Sequence, residues 1–220
     1  MDSVELSMPS KPNPGFNLKA TKPLKRGKFG QLVTFFASKK NNESVACETL
    51  LEADFCFHLE RRADIYAYRS QPFTIQLTDE GISYTPDFFA RRLDGSAILF
   101  EIKNASSEQS PTWQHRRIIL EQAFRDRQIT FTVVGEAEIR PKIEIDNLRY
   151  LYHIGFEGDH HTDQQIENLL RAQTDKNITI AEVIHLGAAE QAVAHALFYR
   201  RIQADLSRPI NMASAVWRNS

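Results

Sequence analysis

Asp87, Glu101 and Lys103 lie in the stretch YTPDFFARRLDGSAILFEIK (84–103), whose other residues are those of a buried sheet. Phe88, Phe89, Ile98, Leu99, Phe100 and Ile102 gain by leaving water, whereas a carboxylate among them is costly unless it is paired or holds a metal. The string reads as two strands around a turn. A three-residue loop, Leu93-Asp94-Gly95 with Gly95 left-handed, sets Arg92 opposite Ser96. Counting back from that pair, Asp87 faces Glu101. Cross-strand partners stand about 5 Å apart at Cβ, so two like charges there repel. Alternation sends Lys103 to the side of Glu101 and sends Phe100 and Ile102 to the other. Two carboxylates that close call for a cation, and a divalent metal with oxygen ligands suits them best. A two-residue loop would break this register.

A third acid comes from the segment ESVACETLLEADFCFHLERR (43–62), rich in Leu, Ala and Glu and free of Gly and Pro, which predicts a helix. At about 100° per residue, Glu52 falls inside the apolar stripe, between Leu59 and Cys56, with Phe55 beside Leu59. Glu48 shares that face and is the rival candidate. Glu60 is rotated away as a surface charge, and Asp54 and Arg61 take the water side. An acid on a helix, an Asp after Pro, then Glu-x-Lys on the next strand is the PD-(D/E)xK nuclease arrangement. In it Glu52, Asp87 and Glu101, with the carbonyl of Ile102, hold one or two Mg²⁺, for which Mn²⁺ substitutes. The metal polarises the scissile phosphate and lowers the pKa of the attacking water. Lys103 orients that water or offsets charge growing on the phosphorus. The motif alone is loose, and a Glu101–Lys103 surface pair with Asp87 at a strand end is the plain structural alternative. The placement of Glu52 weighs against it.

The elements that must position these residues follow in order. QLVTFFAS (31–38) reads as a strand, and YAYRSQPFTIQLT (66–78) ends in one whose Phe73, Ile75 and Leu77 share a side. After the hairpin, SPTWQHRRIILEQAFRDR (110–127) is a helix with Ser110 as N-cap and Pro111 in its first turn. QITFTVVG (128–135) is a strand and IEIDNLRYLYHI (143–154) a helix. This is an α/β pattern, a mixed sheet with flanking helices. Near Gly155 the character changes. TDQQIENLLRAQT (162–174) with a Thr cap, TIAEVIHL (179–186) and EQAVAHALFYRRIQ (190–203) read as three helices, and ADLSRPINMASAVW as a small hairpin, a winged-helix-like plan. The expected organisation is a flexible basic arm (1–30), a nuclease domain (31–155) and a winged-helix-like C-terminal domain (156–220).

The 220-residue chain is 42% hydrophobic with 14 Phe, enough for a core, and its net charge is −1. No apolar run approaches the roughly 18 residues of a membrane span, and MDSVELSMPS lacks the features of a signal peptide. Cys47 and Cys56, nine residues apart on one expected helix, would point to nearly opposite sides, which argues against a disulfide and for a reduced, cytoplasmic protein. Residues 1–40 carry eight Lys and Arg against Asp2 and Glu5. Lys25, Arg26 and Lys28 within KPNPGFNLKATKPLKRGKFG either follow a phosphate backbone or stay solvated. Arg116 and Arg117, early in the 110–127 helix, meet a phosphate or line a solvated face. Gln71 touches the metal site or DNA, or fixes the turn before Pro72, and the turn is preferred. His160-His161 has no acid or Cys at ligand spacing. Arg200 and Arg201 make a thin basic patch, suited to protein contact as much as to DNA.

LLEADFCFHLE, YRSQPFTI, YTPDFFARRLDGSAILFEIK, ITFTVVGEAEIRP and NLRYLYHI, in that order over about residues 45–155, resemble the TnsA endonuclease of Tns-type heteromeric transposons. The resemblance maps the family's helix Glu onto Glu52, its strand Asp onto Asp87, its Glu-or-Gln onto Glu101 and its Lys onto Lys103. It implies a restriction-endonuclease-like fold and a nuclease that cuts the 5′ ends of the transposon. It also implies as partners transposon-end DNA, a TnsB-like transposase and a TnsC-like AAA+ ATPase. Two alternatives remain: a stand-alone restriction or repair nuclease of the same fold, and a non-catalytic adaptor between transposase and ATPase.

Overall fold

The computed structural model describes residues 16–20, 33–172 and 178–218. The chain divides into two compact units, residues 1–59 with 64–139, and residues 60–63 with 140–220.

The first unit is a mixed α/β structure. Within the expected arm, β1 (Phe16–Ala20) is a strand antiparallel to β5. It is followed by β2 (Thr34–Ser38), β3 (Glu43–Cys47), α1 (Leu50–Arg61), β4 (Ile65–Ser70), β5 (Phe73–Leu77), β6 (Ile82–Tyr84), β7 (Phe88–Arg92) and β8 (Ala97–Lys103). Then come α2 (Ala105–Glu108), α3 (Pro111–Asp126), β9 (Thr130–Gly135) and α4 (Glu136–Ile139). The described strands form sheets ordered β1-β5-β6, β2-β3 and β4-β7-β8-β9. The last contains the β7–β8 hairpin and, across the α3 crossover, the parallel pair β8–β9.

The hairpin register agrees with that read from the loop. Gly95 is left-handed at φ 82°, Arg92 N donates to Ser96 O at 2.8 Å, and Phe88 pairs with Phe100. Alternation then sorts the strands' two faces. Phe89 and Leu99 pack with Phe73, Ile75, Leu77, Tyr84, Leu120 and Phe124 in one core. On the other face Phe55 of α1 meets Phe88 and Phe100, with ring centres 5.5 and 5.1 Å apart. Asp87, Glu101 and Lys103 share the parity of Phe89 and Leu99, which is the α3 side.

Residues 43–47 are not helical. Val45 and Cys47 alternate inward on β3, a tight turn at 39–42 with Asn42 left-handed returns β2 onto it, and the helix starts only after Thr49. Cys47 and Cys56 therefore face each other, their sulfurs 3.7 Å apart and fully buried as free thiols. Asp54 (5% exposed) and Glu60 (0%) are buried rather than solvated, and Arg61 is largely buried. With α1 covered nearly all round, a single apolar stripe cannot tell its inner from its outer residues.

The second unit comprises α5 (Lys142–Ile154), a 3₁₀ turn (Gly155–Glu157), α6 (His160–Ala172), β10 (Ile178–Thr179), α7 (Ile180–His185), α8 (Glu190–Phe198), β11 (Ile202–Ala204) and β12 (Ala215–Arg218), with a sheet ordered β10-β12-β11. Leu148, Leu151, Ile166, Val183, Val193 and Phe198 are buried in this unit. α6 begins at His160 and is capped by Asp159, not by Thr162: Thr162 N donates to Asp159 Oδ1 at 2.8 Å. α8 ends at Phe198 rather than near 203. Arg200 N bonds Leu197 O and Arg201 N bonds Ala196 O, the pattern of a Schellman stop, and Ile202 enters a strand. Gly155 and Gly158 permit close packing. A Cβ on either would lie 2.5 Å from His195 atoms.

Candidate active site

Asp87 ends the segment entering β7, opposite Glu101 on β8. The Ile102 N–H donates to Asp87 Oδ2 at 2.7 Å, so the backbone of β8 grips the acid directly. Gln71 N donates to the Asp87 carbonyl at 2.9 Å from a left-handed backbone with φ 41°. Gln71 thus anchors the chain at Asp87 through its main chain.

Glu101 is 6% exposed and bonded at both oxygens. The Tyr84 hydroxyl donates to Oε2 at 2.6 Å, and the Lys103 ammonium bonds Oε1. Lys103 in turn lies over the Trp113 ring, 4.4 Å from its centre, so the tryptophan at the start of α3 holds the ammonium by cation–π attraction. Neither Tyr84 nor Trp113 was singled out in the sequence. The available signal was that a buried phenol needs an acceptor; nothing local distinguishes Trp113 from a core aromatic.

Glu52 is 5% exposed and opens α1. Its Oε2 accepts from Glu48 N at 2.9 Å and its Oε1 from the Thr49 hydroxyl at 3.0 Å, while Glu52 N donates to Thr49 Oγ1 at 3.1 Å. This is a close variant of the Thr-x-x-Glu capping box. The backbone N–H of Glu48, the rival acid, serves this cap.

The electrostatics tie the three acids together. Burial raises the Glu52 carboxyl above its usual range, and the charges of Glu48 and Glu101 add to that against the two cap bonds. Asp87 is pushed up to about 8, first by burial and next by Glu101, with Glu52 contributing; the Ile102 N–H and Lys103 pull the other way. Tyr84 is pushed well up, by burial and then by Glu101. Three acids share the neighbourhood with one lysine, and the charge is uncompensated.

Such buried oxygen donors, short of positive charge, fit a hard divalent cation. Among the described residues no three His, Cys, Asp or Glu side chains close into a ready ligand cluster. Glu52 in particular has both oxygens committed to its own helix start.

The remaining candidates are placed less suggestively. Exposed Arg116 donates to the Ser83 carbonyl at 2.9 Å, and Arg117 pairs with Glu121 at 2.6 Å. Lys25, Arg26 and Lys28 lie outside the described residues. His160 Nδ1 lies 3.2 Å from Asp163, which is bonded to buried His195 at 2.7 Å. His161 is 3.4 Å from Gln165.

Residues 62–136 match the family described as TnsA-like endonuclease N terminal, which supports a TnsA-like nuclease. The matched stretch includes Gln71, Tyr84, Asp87, Glu101, Lys103 and Trp113; Glu52 precedes it. No curated protein matches the chain. Among the described residues no helix is long and apolar enough to cross a membrane.

Proposed function

We propose that the chain is the metal-dependent endonuclease subunit of a heteromeric transposase, hydrolysing phosphodiester bonds at the 5′ ends of the element during cut-and-paste movement. The observation that carries this reading is the half-buried Asp87 facing the buried Glu101, with Asp87 driven up to about 8 beside Lys103. A merely structural pair would not retain such a repulsive arrangement in a TnsA-like nuclease domain.

Asp87, Glu101 and the Ile102 carbonyl, with Glu52, would hold Mg²⁺ or Mn²⁺. A cation so held supplies Lewis acidity toward the phosphate and a lower pKa for bound water. Lys103, steadied between Glu101 and Trp113, orients the nucleophilic water or offsets charge developing on the phosphate. Tyr84 fixes the rotamer of Glu101. Arg116 and Arg117, with Lys25, Arg26 and Lys28, are assigned to DNA contact, and Gln71 to the turn that fixes the chain at Asp87. The helices α6, α7 and α8 with the sheet β10-β12-β11 are read as a winged-helix-like unit. The partners are the transposon-end DNA, a TnsB-like transposase and a TnsC-like AAA+ ATPase.

The test is strand cleavage at element ends in a reaction reconstituted with those two subunits. Asp87→Ala abolishes the 5′ cuts while leaving the fold intact by circular dichroism. Undiminished cutting refutes the assignment. Cutting of plain duplex DNA by the purified chain alone would replace it with a stand-alone nuclease.

A further inference from the structure

Glu101 accepts a donor on each of its oxygens, the Tyr84 hydroxyl on Oε2 and the Lys103 ammonium on Oε1. Tyr84 is neutral and held in place: it is buried, and its ring packs on Phe124 and Phe131. Lys103 is a charge on a flexible four-carbon stem. An ammonium and a divalent ion repel, so they compete for Oε1 while the phenol keeps Oε2. Among the described residues the second contact of the ammonium is the Trp113 ring, with Nζ 4.4 Å from its centre. That ring is neutral and attracts a cation through its face, so it is a seat that needs no carboxylate.

Trp113 supplies a second, independent observation. It is 9% exposed, and its Nε1 is buried without a hydrogen-bond partner among the described residues. An indole N–H buried in this way is costly, and phenylalanine would avoid the cost. What indole has over phenyl is the stronger pull of its face on a cation. Charge balance gives the seat its use. Lys103 pulls the Asp87 carboxyl down against the push of Glu101 and Glu52. One divalent ion with one ammonium neutralises the three carboxylates, so the site stays balanced only if the lysine is kept nearby when it leaves Oε1.

We propose that Lys103 is a resident counter-ion with two seats, Glu101 Oε1 when no divalent ion is present and the Trp113 face when one is. Trp113 is then a positioning residue, which acts on metal binding through Lys103. The proposal rests on the metal-dependent nuclease reading and deepens it. Lys103 yields the carboxylate oxygen but stays within the site, close to where it acts on water or phosphate. The move breaks no covalent bond and transfers no proton; the lysine is an ammonium in both seats.

Trp113 and Trp217 are the two tryptophans, so the full chain carrying Trp217→Phe reports on Trp113 alone. Mg²⁺ is titrated into it by fluorescence and by calorimetry. Trp113 emission changes in step with calorimetric occupancy, and Lys103→Met abolishes the change while Mg²⁺ still binds. Mn²⁺ calorimetry then closes a double-mutant cycle. Lys103→Met binds Mn²⁺ more tightly, because the competing ammonium is gone. Trp113→Leu weakens binding about fivefold, the order of one cation–π contact, and has no effect in the Lys103→Met background. Trp113→Phe, which keeps an aromatic face, recovers most of the affinity, and circular dichroism checks that each variant folds. An equal loss from Trp113→Leu with and without Lys103, or bound Mg²⁺ with unchanged Trp113 emission, overturns the two-seat lysine and leaves the metal reading standing. Absence of Mn²⁺ binding in wild type and Lys103→Met alike overturns the metal reading, and this proposal with it.

Discussion

Replacing Asp87 by Asn should make the metal-free protein more stable at pH 8, although it removes the central acid of the site. Asparagine keeps an amide oxygen for the Ile102 N–H, which donates to Asp87 at 2.7 Å, and fills nearly the same space. What it removes is a half-buried negative charge facing Glu101. The Asp87 carboxyl is pushed from 3.8 to about 8. An acid whose pKa is raised by folding weakens the fold wherever the unfolded chain has already ionised. The penalty therefore begins near pH 4 and grows until about pH 8. Four units at about 1.4 kcal/mol each set a ceiling of roughly 6 kcal/mol. Because the charge is shared among Asp87, Glu101 and Glu52, the deletion recovers only part of this, and about 2 kcal/mol is expected. For a chain of this size that is a rise of about 4–8 °C in melting temperature.

The assay is thermal unfolding in chelator at pH 8 and pH 5, wild type against Asp87→Asn. The variant leads at pH 8, the gap narrows at pH 5, and it closes near pH 4, where Asp87 of the unfolded chain also takes up its proton. A variant less stable than wild type at pH 8, or a gap that is the same at both pH values, would refute the reasoning. The first outcome would mean that Asp87 is held by favourable contacts. The second would mean that its effect is packing and not charge.

Divalent ions should invert that ranking. Mn²⁺ at 100 times its dissociation constant stabilises wild type by about 2.7 kcal/mol, and Glu101→Gln loses most of this response when followed by calorimetry or melting. Trp113→Phe tests the hold on Lys103 cleanly, because the indole nitrogen is buried without a hydrogen-bond partner among the described residues. Cleavage survives in that variant, with a modest fall in rate, and drops at least tenfold in Trp113→Ala, measured in the reconstituted reaction. Tyr84→Phe removes the 2.6 Å bond to Glu101 and costs about 1.5–3 kcal/mol of stability, the range for a hydrogen bond to a charged group, read from denaturant unfolding. Gly158→Ala brings a Cβ within 2.5 Å of the His195 Cβ and destabilises the second unit by about 1–3 kcal/mol, seen as faster amide exchange in α8.

Where the chain's own chemistry fixes geometry locally, the sequence was readable. The Leu93-Asp94-Gly95 loop admits few turns, so it set the register that places Phe88 opposite Phe100 and Asp87 opposite Glu101. Residues 43–47 were misread because Glu, Ala and Cys are acceptable in a helix and their strand state is imposed from outside by β2. The same limit hid the contact of Cys47 with Cys56, and it made Asp54 and Glu60 look solvated on a helix that neighbours cover on several sides. The α8 stop was missed because it has Arg200 where the sequence signal would be glycine. Tyr84 and Trp113 meet Glu101 and Lys103 only after β6 and α3 have packed on the sheet. No window of neighbouring residues contains that information.

Glu52 shows how a catalytic candidate can be stored in a form that looks structural. Its carboxylate satisfies the Glu48 N–H and the Thr49 hydroxyl at the start of α1, where the helix dipole also favours a negative charge. Without a cation this is its best place, because the alternative is to approach Glu101, whose charge already raises the cost of ionising Glu52 and Asp87. Releasing it would forfeit a cap of about 1 kcal/mol. A divalent ion held among the acids, as proposed, would offset that loss, since each carboxylate it gained would relieve repulsion as well as supply a ligand. On the proposed reading the capping box and the ligand role would be two states of one residue, selected by whether positive charge is present, and the position of Glu52 at the third residue of α1 would make both available.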